Sequence, residues 1–200
     1  MELQHEEMCE VSARGHQHMR ENVELTHELA RLRARVAPEF SSASSRVVRF
    51  VDTAATAAAW KGLILAAESE VAIVAFTYDL EEETSALVEV RTRRTLPRPR
   101  CRLLMDGAYA DRGGMPNRGP RLQRLRSAGV SVRYFRGGKR LHQKSVLADS
   151  LMWVGSCNHT DASMRNVELG VVLNLSENDC SAEFARFEAL WAGGREEVDR

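Results

Sequence analysis

The chain has 200 residues, of which 44% are hydrophobic, and its 28 lysine and arginine residues balance its 28 acidic residues. This length suits one ordinary domain with a small appendage, and the hydrophobic content excludes a chain that is disordered by composition. The longest apolar run, Val71–Phe76, is far shorter than the roughly 18 residues that span a bilayer, so no transmembrane segment is predicted. The four cysteines form no CxxC pair and the acidic N-terminus lacks the apolar core of a signal peptide, which favours a cytoplasmic location, including the surface of a membrane.

Positive charge is concentrated in one part of the chain, which we call the basic block. Between Arg91 and Lys144 there are 16 lysine and arginine residues and only two acidic residues, Asp106 and Asp111. A block of this kind favours the attraction of polyanions such as nucleic acid or anionic lipid. The alternative interpretation is a solvated, arginine-rich surface.

The first 36 residues are predicted to form a helix, because apolar residues between Leu25 and Val36 follow a helical spacing and form one stripe. The stripe is too short to distinguish a coiled coil from a helix that lies on the domain, on a partner or on a membrane. Pro38 and the serines that follow it mark a linker. The sequence therefore predicts an N-terminal helix and linker over residues 1–45 and a main domain over residues 46–200.

The main domain alternates between strands and helices, which predicts an α/β fold with a mixed, mainly parallel β-sheet flanked by helices. Its first half contains strand Arg46–Val51, helix Thr53–Glu68, strand Glu70–Thr77, helix Glu81–Arg94 and strand Arg102–Met105. After a Gly- and Pro-rich loop over Arg112–Pro120 come helix Pro120–Ser127, strand Val130–Phe135, two strands within Leu141–Asn158, strand Val167–Leu175 and helix Cys180–Trp191.

Polar residues that can bind and attack a phosphate are concentrated in the last third of the chain. Two of them are separated by one residue on a predicted strand, so their side chains are expected to point to the same face. A turn and the start of the next apolar strand carry the others. The pattern consists of His142-x-Lys144, Asp149, Gly155-Ser156-x-Asn158 and Asn166-x-Glu168.

These residue types suit the chemistry of a phosphodiester, an anion that repels nucleophiles until its non-bridging oxygens are neutralised. Lys144 is a compact positive charge for one oxygen, and Ser156 and Asn158 can donate hydrogen bonds. A neutral imidazole on His142 can attack phosphorus. Glu168 is the candidate acceptor that would hold the other ring nitrogen and fix the tautomer.

Other polar features predict no further site. The histidines and the cysteine of the N-terminal region match no standard zinc spacing, so neither a metal nor another cofactor is expected. Gly137-Gly138-Lys139 lacks the upstream glycine and the following serine or threonine of a phosphate-binding loop. His159 is predicted to lie on the rim of the site as a bystander.

The pattern resembles the HKD motif of the phospholipase D superfamily of phosphodiesterases, and the resemblance covers roughly residues 46–192. With one motif per chain, it is similar to the short branch that contains bacterial Nuc-type endonucleases and mitochondrial cardiolipin hydrolases. The resemblance implies a phospholipase D-like fold and a homodimer whose two motifs face one another. His142 of one chain would be the nucleophile, and His142 of the partner subunit would protonate the leaving oxygen. The resemblance implies as catalytic residues His142, Lys144, Asp149 and Glu168, and as phosphate-binding residues Lys144, Ser156, Asn158 and Asn166.

The activity that the resemblance implies is hydrolysis of phospholipid head-group esters through a covalent phosphohistidine, without a cofactor. The first alternative is a Nuc-type endonuclease that cleaves single- or double-stranded nucleic acid. The second is a dimer that binds a polyanion without turning it over. Asp149, at the far end of the predicted strand, is expected to support backbone or turn geometry and not to contact the phosphate. Within the resemblance, His159 stands where an aromatic residue is common.

Overall fold

A computed structural model gives the fold and describes residues 46–93, 98–110 and 118–196. The predicted N-terminal helix and linker lie outside these residues, as does most of the predicted loop over Arg112–Pro120. Within the described residues the chain forms a mixed β-sheet with helices packed on it, which confirms the predicted fold class.

Eight of the strands in the described residues form the main sheet, and two short ones form a second sheet. The main sheet has the order β1-β9-β7-β6-β2-β4-β5-β10, and β3 pairs with β8. The strands are β1 (Arg46–Asp52), β2 (Glu70–Ala75), β3 (Tyr78–Asp79), β4 (Arg100–Asp106), β5 (Ser131–Phe135), β6 (Ser145–Ala148), β7 (Leu151–Gly155), β8 (His159–Thr160), β9 (Leu169–Asn174) and β10 (Gly194–Arg195).

Parallel pairing in the main sheet joins β2 to β4 and β4 to β5. The other neighbouring strands of this sheet run antiparallel. The parallel share is smaller than predicted, because β6 and β7 form a hairpin that adds antiparallel neighbours beside β2. The central strand β2 is buried along nearly its whole length, as its continuous apolar sequence predicts.

The helices of the described residues begin at polar caps where the sequence supplies them. Asp52 Oδ1 accepts a hydrogen bond from Ala55 N at 2.9 Å at the start of α1. Ser176 Oγ accepts one from Asp179 N at 3.2 Å, so α5 begins three residues before the predicted Cys180. The helices are α1 (Thr53–Ala66), α2 (Glu81–Thr92), α3 (Gly107–Ala110), α4 (Arg118–Ser127) and α5 (Glu177–Ala192), with a 3₁₀ turn at Ser163–Arg165.

The hydrophobic core lies on both faces of the main sheet. On one face, Trp153 of β7 packs edge-on against Trp60 of α1, with ring centroids 4.8 Å apart, and both rings are fully buried. The neighbouring Met152 points to the other face, where it packs in one cluster with Phe187 and Trp191 of α5. Helices therefore cover the two faces of the sheet.

Candidate active site

The segments that carry the predicted site residues meet at one edge of the main sheet. Ser145 at the start of β6 pairs with Val74 near the end of β2 and with Val154 near the end of β7. Gly155 at the end of β7 pairs with Gly170 near the start of β9. The segment before β6, the turn after β7 and the segment before β9 therefore lie together, and β4 and β5 end at the same edge.

His142 and Lys144 lie side by side, but not on a strand as predicted, because β6 begins only at Ser145. Lys144 Nζ donates to the backbone oxygen of His142 at 2.7 Å and lies 3.1 Å from Nδ1 and 3.3 Å from Nε2 of its ring. The Phe76 ring packs against both, with its centroid 4.7 Å from that of His142 and 5.4 Å from Lys144 Nζ. The lysine side chain thus curls back onto the imidazole, and strand alternation has no part in their contact.

The two side chains differ in their access to solvent. His142 is exposed, whereas Lys144 is buried. Burial lowers the pKa of the Lys144 ammonium, and the nearby negative charge of Glu168 partly opposes this shift. A buried cation beside an exposed imidazole is an arrangement that a bound anion would stabilise.

Glu168 connects the turn after β7 to the segment before β9. Ser156 Oγ donates to Glu168 Oε2, and Asn166 Nδ2 donates to Oε1 at 3.3 Å. Leu169 N donates to Ser156 Oγ at 3.2 Å. Thr53 at the start of α1 fixes the same segment, since its Oγ1 donates to Asn166 O and accepts from Glu168 N, both at 2.8 Å. No pattern in the sequence indicates Thr53, whose partner lies 115 residues away.

Gly155 of the predicted turn permits the close approach of β7 and β9. A Cβ atom at this position would lie 2.6 Å from Leu169 O and 2.7 Å from the Trp153 ring. At the paired Gly170, a Cβ atom would lie 2.5 Å from Trp153 Nε1. The two glycines therefore allow Ser156 to reach Glu168.

The predicted hydrogen bond between Glu168 and His142 is not formed among the described residues. The carboxylate accepts from Ser156 and Asn166 instead, and Lys144 lies against the imidazole. Glu168 acts on the pair through its charge, which favours the protonated form of Lys144.

Asn158 and Cys157 lie in the same turn. The backbone oxygen of Asn158 accepts from Thr160 N at 2.8 Å, whereas its Oδ1 is buried and has no hydrogen-bond partner in the described part of the chain. The unpaired atom is an acceptor, so a donor to a phosphate oxygen would have to be the amide nitrogen of this side chain. Cys157 is buried, and burial raises the pKa of its thiol to about 12, so it stays protonated and is a poor nucleophile.

Asp149 lies apart from the other predicted site residues, in the turn between β6 and β7 at the opposite end of β6. Its Oδ2 accepts from Glu68 N at 2.9 Å, and its Oδ1 accepts from Ser69 N at 3.1 Å and Glu70 N at 3.0 Å. This placement corrects the assignment of Asp149 to the catalytic set. The carboxylate holds the start of β2 against the hairpin, at the opposite end of β6 from His142 and Lys144.

His159 is fully buried, so its predicted position on the rim is wrong. Its Nδ1 lies 2.9 Å from Oε2 of the buried Glu83, and its ring stacks on Trp60 with centroids 4.3 Å apart. Its backbone pairs with Tyr78 in the small β3–β8 sheet. Because His159 directly follows Asn158, the buried pair of His159 and Glu83 anchors the end of the turn that contains Asn158. The sequence does not distinguish Glu83 from the other acidic residues at the start of α2.

Where the structure describes the basic block, acidic residues from other parts of the chain neutralise several of its cations. Its exposed cations at this sheet edge lie in the segment 136–140, which follows β5. The ion pairs within the described residues include Arg102 with Glu70 and Glu188, Arg121 with Asp79, Glu81 and Asp161, and Arg124 with Glu81.

No group of three or more His, Cys, Asp or Glu side chains in the described residues is arranged to hold a metal ion. Every helix within residues 46–93, 98–110 and 118–196 falls short of the length and apolarity needed to cross a bilayer.

The sequence matches one family model over most of the main domain. Residues 61–191 match the family described as cardiolipin synthase, PLD-like domain. No curated protein matches the chain significantly in sequence.

Several solved structures share the fold at low sequence identity. Nuc from Salmonella typhimurium, a phospholipase D family member, superposes with a TM-score of 0.66 at 17% identity, over 78% of this chain and 99% of that chain. NucT from Helicobacter pylori gives a TM-score of 0.62 at 12% identity, over 74% and 100% of the two chains. Phosphatidylserine synthase from Haemophilus influenzae gives 0.59 at 12% identity, over 84% of this chain but only 44% of that chain.

Proposed function

Because the chain belongs to the phospholipase D-like family, we propose that it hydrolyses phosphodiesters through a covalent phosphohistidine at His142. The observation that supports this most directly is the contact between the exposed imidazole of His142 and the ammonium of Lys144. Ser156, Asn158 and Glu168 lie at the same sheet edge, which supports a common role for these residues at one phosphate.

The proposed reaction has two steps. A neutral ring nitrogen of His142 attacks phosphorus, the bond from phosphorus to the leaving oxygen breaks, and that oxygen takes a proton from His142 of the partner subunit. The partner's His142 then removes a proton from water, the resulting hydroxide attacks phosphorus, and the phosphorus–nitrogen bond breaks. Lys144 neutralises a non-bridging oxygen in both steps, and the amide of Asn158 donates to another.

Ser156, Asn166 and Glu168 act mainly on one another in this proposal. Their hydrogen bonds fix the Glu168 carboxylate at a distance from which its charge favours protonated Lys144. The hydroxyl of Ser156 can turn from the carboxylate to a phosphate oxygen when the substrate binds. Glu168 would orient the imidazole only after Lys144 moves from the ring to the phosphate.

A homodimer completes the proposed site, since one chain supplies one His142 and the reaction uses two. An apolar patch beside the site supports this pairing: Phe50, Val167 and Leu169 are 70%, 103% and 59% exposed. Leu169 and Phe50 lie on the same face of β9 and β1, since Phe50 pairs with Val171 two residues beyond Leu169. Burial of this patch would bring Glu168, which lies between Val167 and Leu169, into the interface.

The proposed substrate is a phospholipid head-group ester, hydrolysed by a cytoplasmic enzyme at a membrane surface. The alternative is a nucleic-acid strand, and a further alternative is polyanion binding without turnover. The fold does not choose between lipid and nucleic acid, because the phosphatidylserine synthase and the Nuc protein share it.

The proposal is tested by incubating the full chain separately with phospholipid vesicles and with single- and double-stranded oligonucleotides, with and without EDTA. We expect release of head group and phosphatidate, and we expect it to persist in EDTA because nitrogen donors of Lys144 and Asn158, not a metal, hold the phosphate. Cleavage of oligonucleotides alone would identify a nuclease. Binding without hydrolysis of any substrate would support the non-catalytic alternative, and loss of hydrolysis on chelation would contradict the mechanism.

The lowered pKa of Lys144 predicts that alkaline pH weakens substrate binding but increases the stability of the fold. As pH rises towards the ordinary lysine value of 10.5, folded Lys144 loses its proton before unfolded Lys144 does. The KM for a phosphodiester should therefore rise, because the ammonium that binds the phosphate is lost. The contribution of Lys144 to the free energy of unfolding should also rise, because the unfolded chain binds more protons in this interval.

Steady-state kinetics and urea unfolding across this pH interval measure the two effects. The unfolding comparison uses the wild type and Lys144→Met, whose difference isolates the titration of this side chain. A KM that stays constant, or a difference in unfolding free energy that falls with pH, would contradict the assignment.

A further inference from the structure

A cavity of about 320 Å³ opens at the sheet edge beside the active site, between the ends of β4 and β5. It is lined by Asp106, Ala108 and the segment 135–140, which contains Arg136, Lys139 and Arg140. Neither the proposed mechanism nor the residues around His142 use this cavity.

The cavity carries two cations, Lys139 and Arg140, that the described part of the chain does not neutralise. Lys139 and Arg140 are exposed, and within the described residues neither has a hydrogen-bond or ion-pair partner. This distinguishes them from Arg102, Arg121 and Arg124 of the same basic block, which are held in ion pairs. Positive charge is therefore available to a ligand here.

The floor of the cavity is fixed relative to the active site. Asp106, the one carboxylate of the lining, is buried. Its Oδ2 accepts a hydrogen bond from Leu141 N at 2.8 Å, which ties the end of β4 to the segment that leads to His142. A Cβ atom at Gly107 would lie 2.8 Å from Phe135 O, which shows how closely the ends of β4 and β5 are packed.

The distance from the cavity to the nucleophile is short. Arg140 precedes His142 by two residues, and the intervening Leu141 is buried. Two residues of extended chain span at most about 7 Å, so the Arg140 backbone lies within that distance of the His142 backbone. A substrate held at Lys144 could therefore reach the cavity with a group only a few bonds from its scissile phosphate.

We infer that this cavity is a second anion subsite, which binds another phosphate of the same substrate molecule; the inference rests on the proposed function. The guanidinium of Arg140 and the ammonium of Lys139 hold that phosphate by charge-assisted hydrogen bonds. Gly138 is exposed with no atom within 4 Å of its Cβ position, so its backbone amide is a further donor, whereas the Phe135 ring lies against the neighbouring Gly137. The subsite makes the enzyme prefer substrates with two phosphates over those with one.

Kinetics with substrate pairs that differ by one phosphate test the subsite. One pair is diphosphatidylglycerol and phosphatidylglycerol in mixed micelles, and the other is a dinucleotide with and without a 5′-phosphate. The wild type should prefer the two-phosphate member, and the pair that shows the preference identifies a lipid or a nucleotide as its source. In the double variant Lys139→Ala/Arg140→Ala, kcat/KM for the two-phosphate member should fall on the order of tenfold more than for its one-phosphate counterpart.

Arg98→Ala is the matched control, because it removes an exposed cation of the same basic block from the segment before β4, at the opposite edge of the sheet. This variant should leave the ratio of the two kcat/KM values as in the wild type. An equal loss on both members in the double variant, or the same change of ratio in Arg98→Ala, would overturn the subsite.

A titration with inorganic phosphate, followed by ¹H–¹⁵N NMR of the full chain, tests the subsite without turnover. The amide signals of Gly137 and Gly138 should shift in the wild type and stay in place in the double variant. No shift in the wild type, or equal shifts in both proteins, would overturn the subsite. A wild type that binds phosphate here but hydrolyses none of the substrates would contradict the proposed function alone.

Discussion

Replacement of His142 by asparagine is expected to lower kcat for phosphodiester hydrolysis on the order of 10⁴-fold or more, because it removes the nucleophile and, in a homodimer, the acid as well. Asparagine keeps a polar side chain at this exposed position, so folding should be unaffected. Phospholipid and oligonucleotide hydrolysis by the purified variant measures the loss, and circular dichroism with thermal unfolding verifies the fold.

Gln143→Ala is the matched control for His142→Asn. Gln143 lies between His142 and Lys144 in sequence. Its Oε1 accepts a hydrogen bond from Arg186 of α5 at 2.7 Å, so its side chain points to the face of the sheet that α5 covers. This variant should retain activity within a few-fold of the wild type. Activity in His142→Asn above about one hundredth of the wild-type value would show that another group performs the chemistry.

Replacement of His159 by phenylalanine is expected to destabilise the protein by about 3–5 kcal/mol, because it leaves the buried carboxylate of Glu83 without its partner. Phenylalanine can keep the stacking on Trp60, so the loss reports mainly on the unpaired charge. Urea unfolding of the wild type and the variant measures the difference in free energy of unfolding.

A double-mutant cycle separates the pair from the rest of the core. Glu83→Leu alone should cost less than His159→Phe, because a neutral imidazole is less costly to bury than a carboxylate. The double variant Glu83→Leu/His159→Phe should recover most of the stability that His159→Phe loses, since it replaces the pair by apolar groups. Additive losses in the double variant would show that the two side chains do not act as a pair.

The sequence allowed correct prediction of the mixed sheet flanked by helices, whereas the sheet edge at which the candidate residues meet follows from the strand order. Hydrophobic runs fix the strands, and the motif residues occur within a few positions of strand ends, so pairing of β6 with β7 and of β7 with β9 brings Lys144, Ser156 and Glu168 close together. The prediction that His142 and Lys144 lie on a strand was wrong, because β6 begins at Ser145. The first residue of a strand cannot be located from the apolar run that follows it.

Features that depend on contacts between distant segments could not be predicted. Glu83 and His159 lie 76 residues apart in sequence, and neither residue type alone indicates a buried pair. Thr53 supports the segment before β9 only because α1 begins beside it in the folded chain. The neutralisation of Arg102 and Arg121 likewise depends on acidic residues that folding brings to them.

The most direct test of the central claim is a search for the covalent intermediate. The full chain is mixed rapidly with a ³²P-labelled phosphodiester that it hydrolyses, quenched in alkali, digested and analysed by mass spectrometry. The account predicts an acid-labile, alkali-stable phosphoryl adduct on the peptide that contains His142, and its absence in His142→Asn. Turnover without any adduct, or an adduct on a different residue, would contradict it.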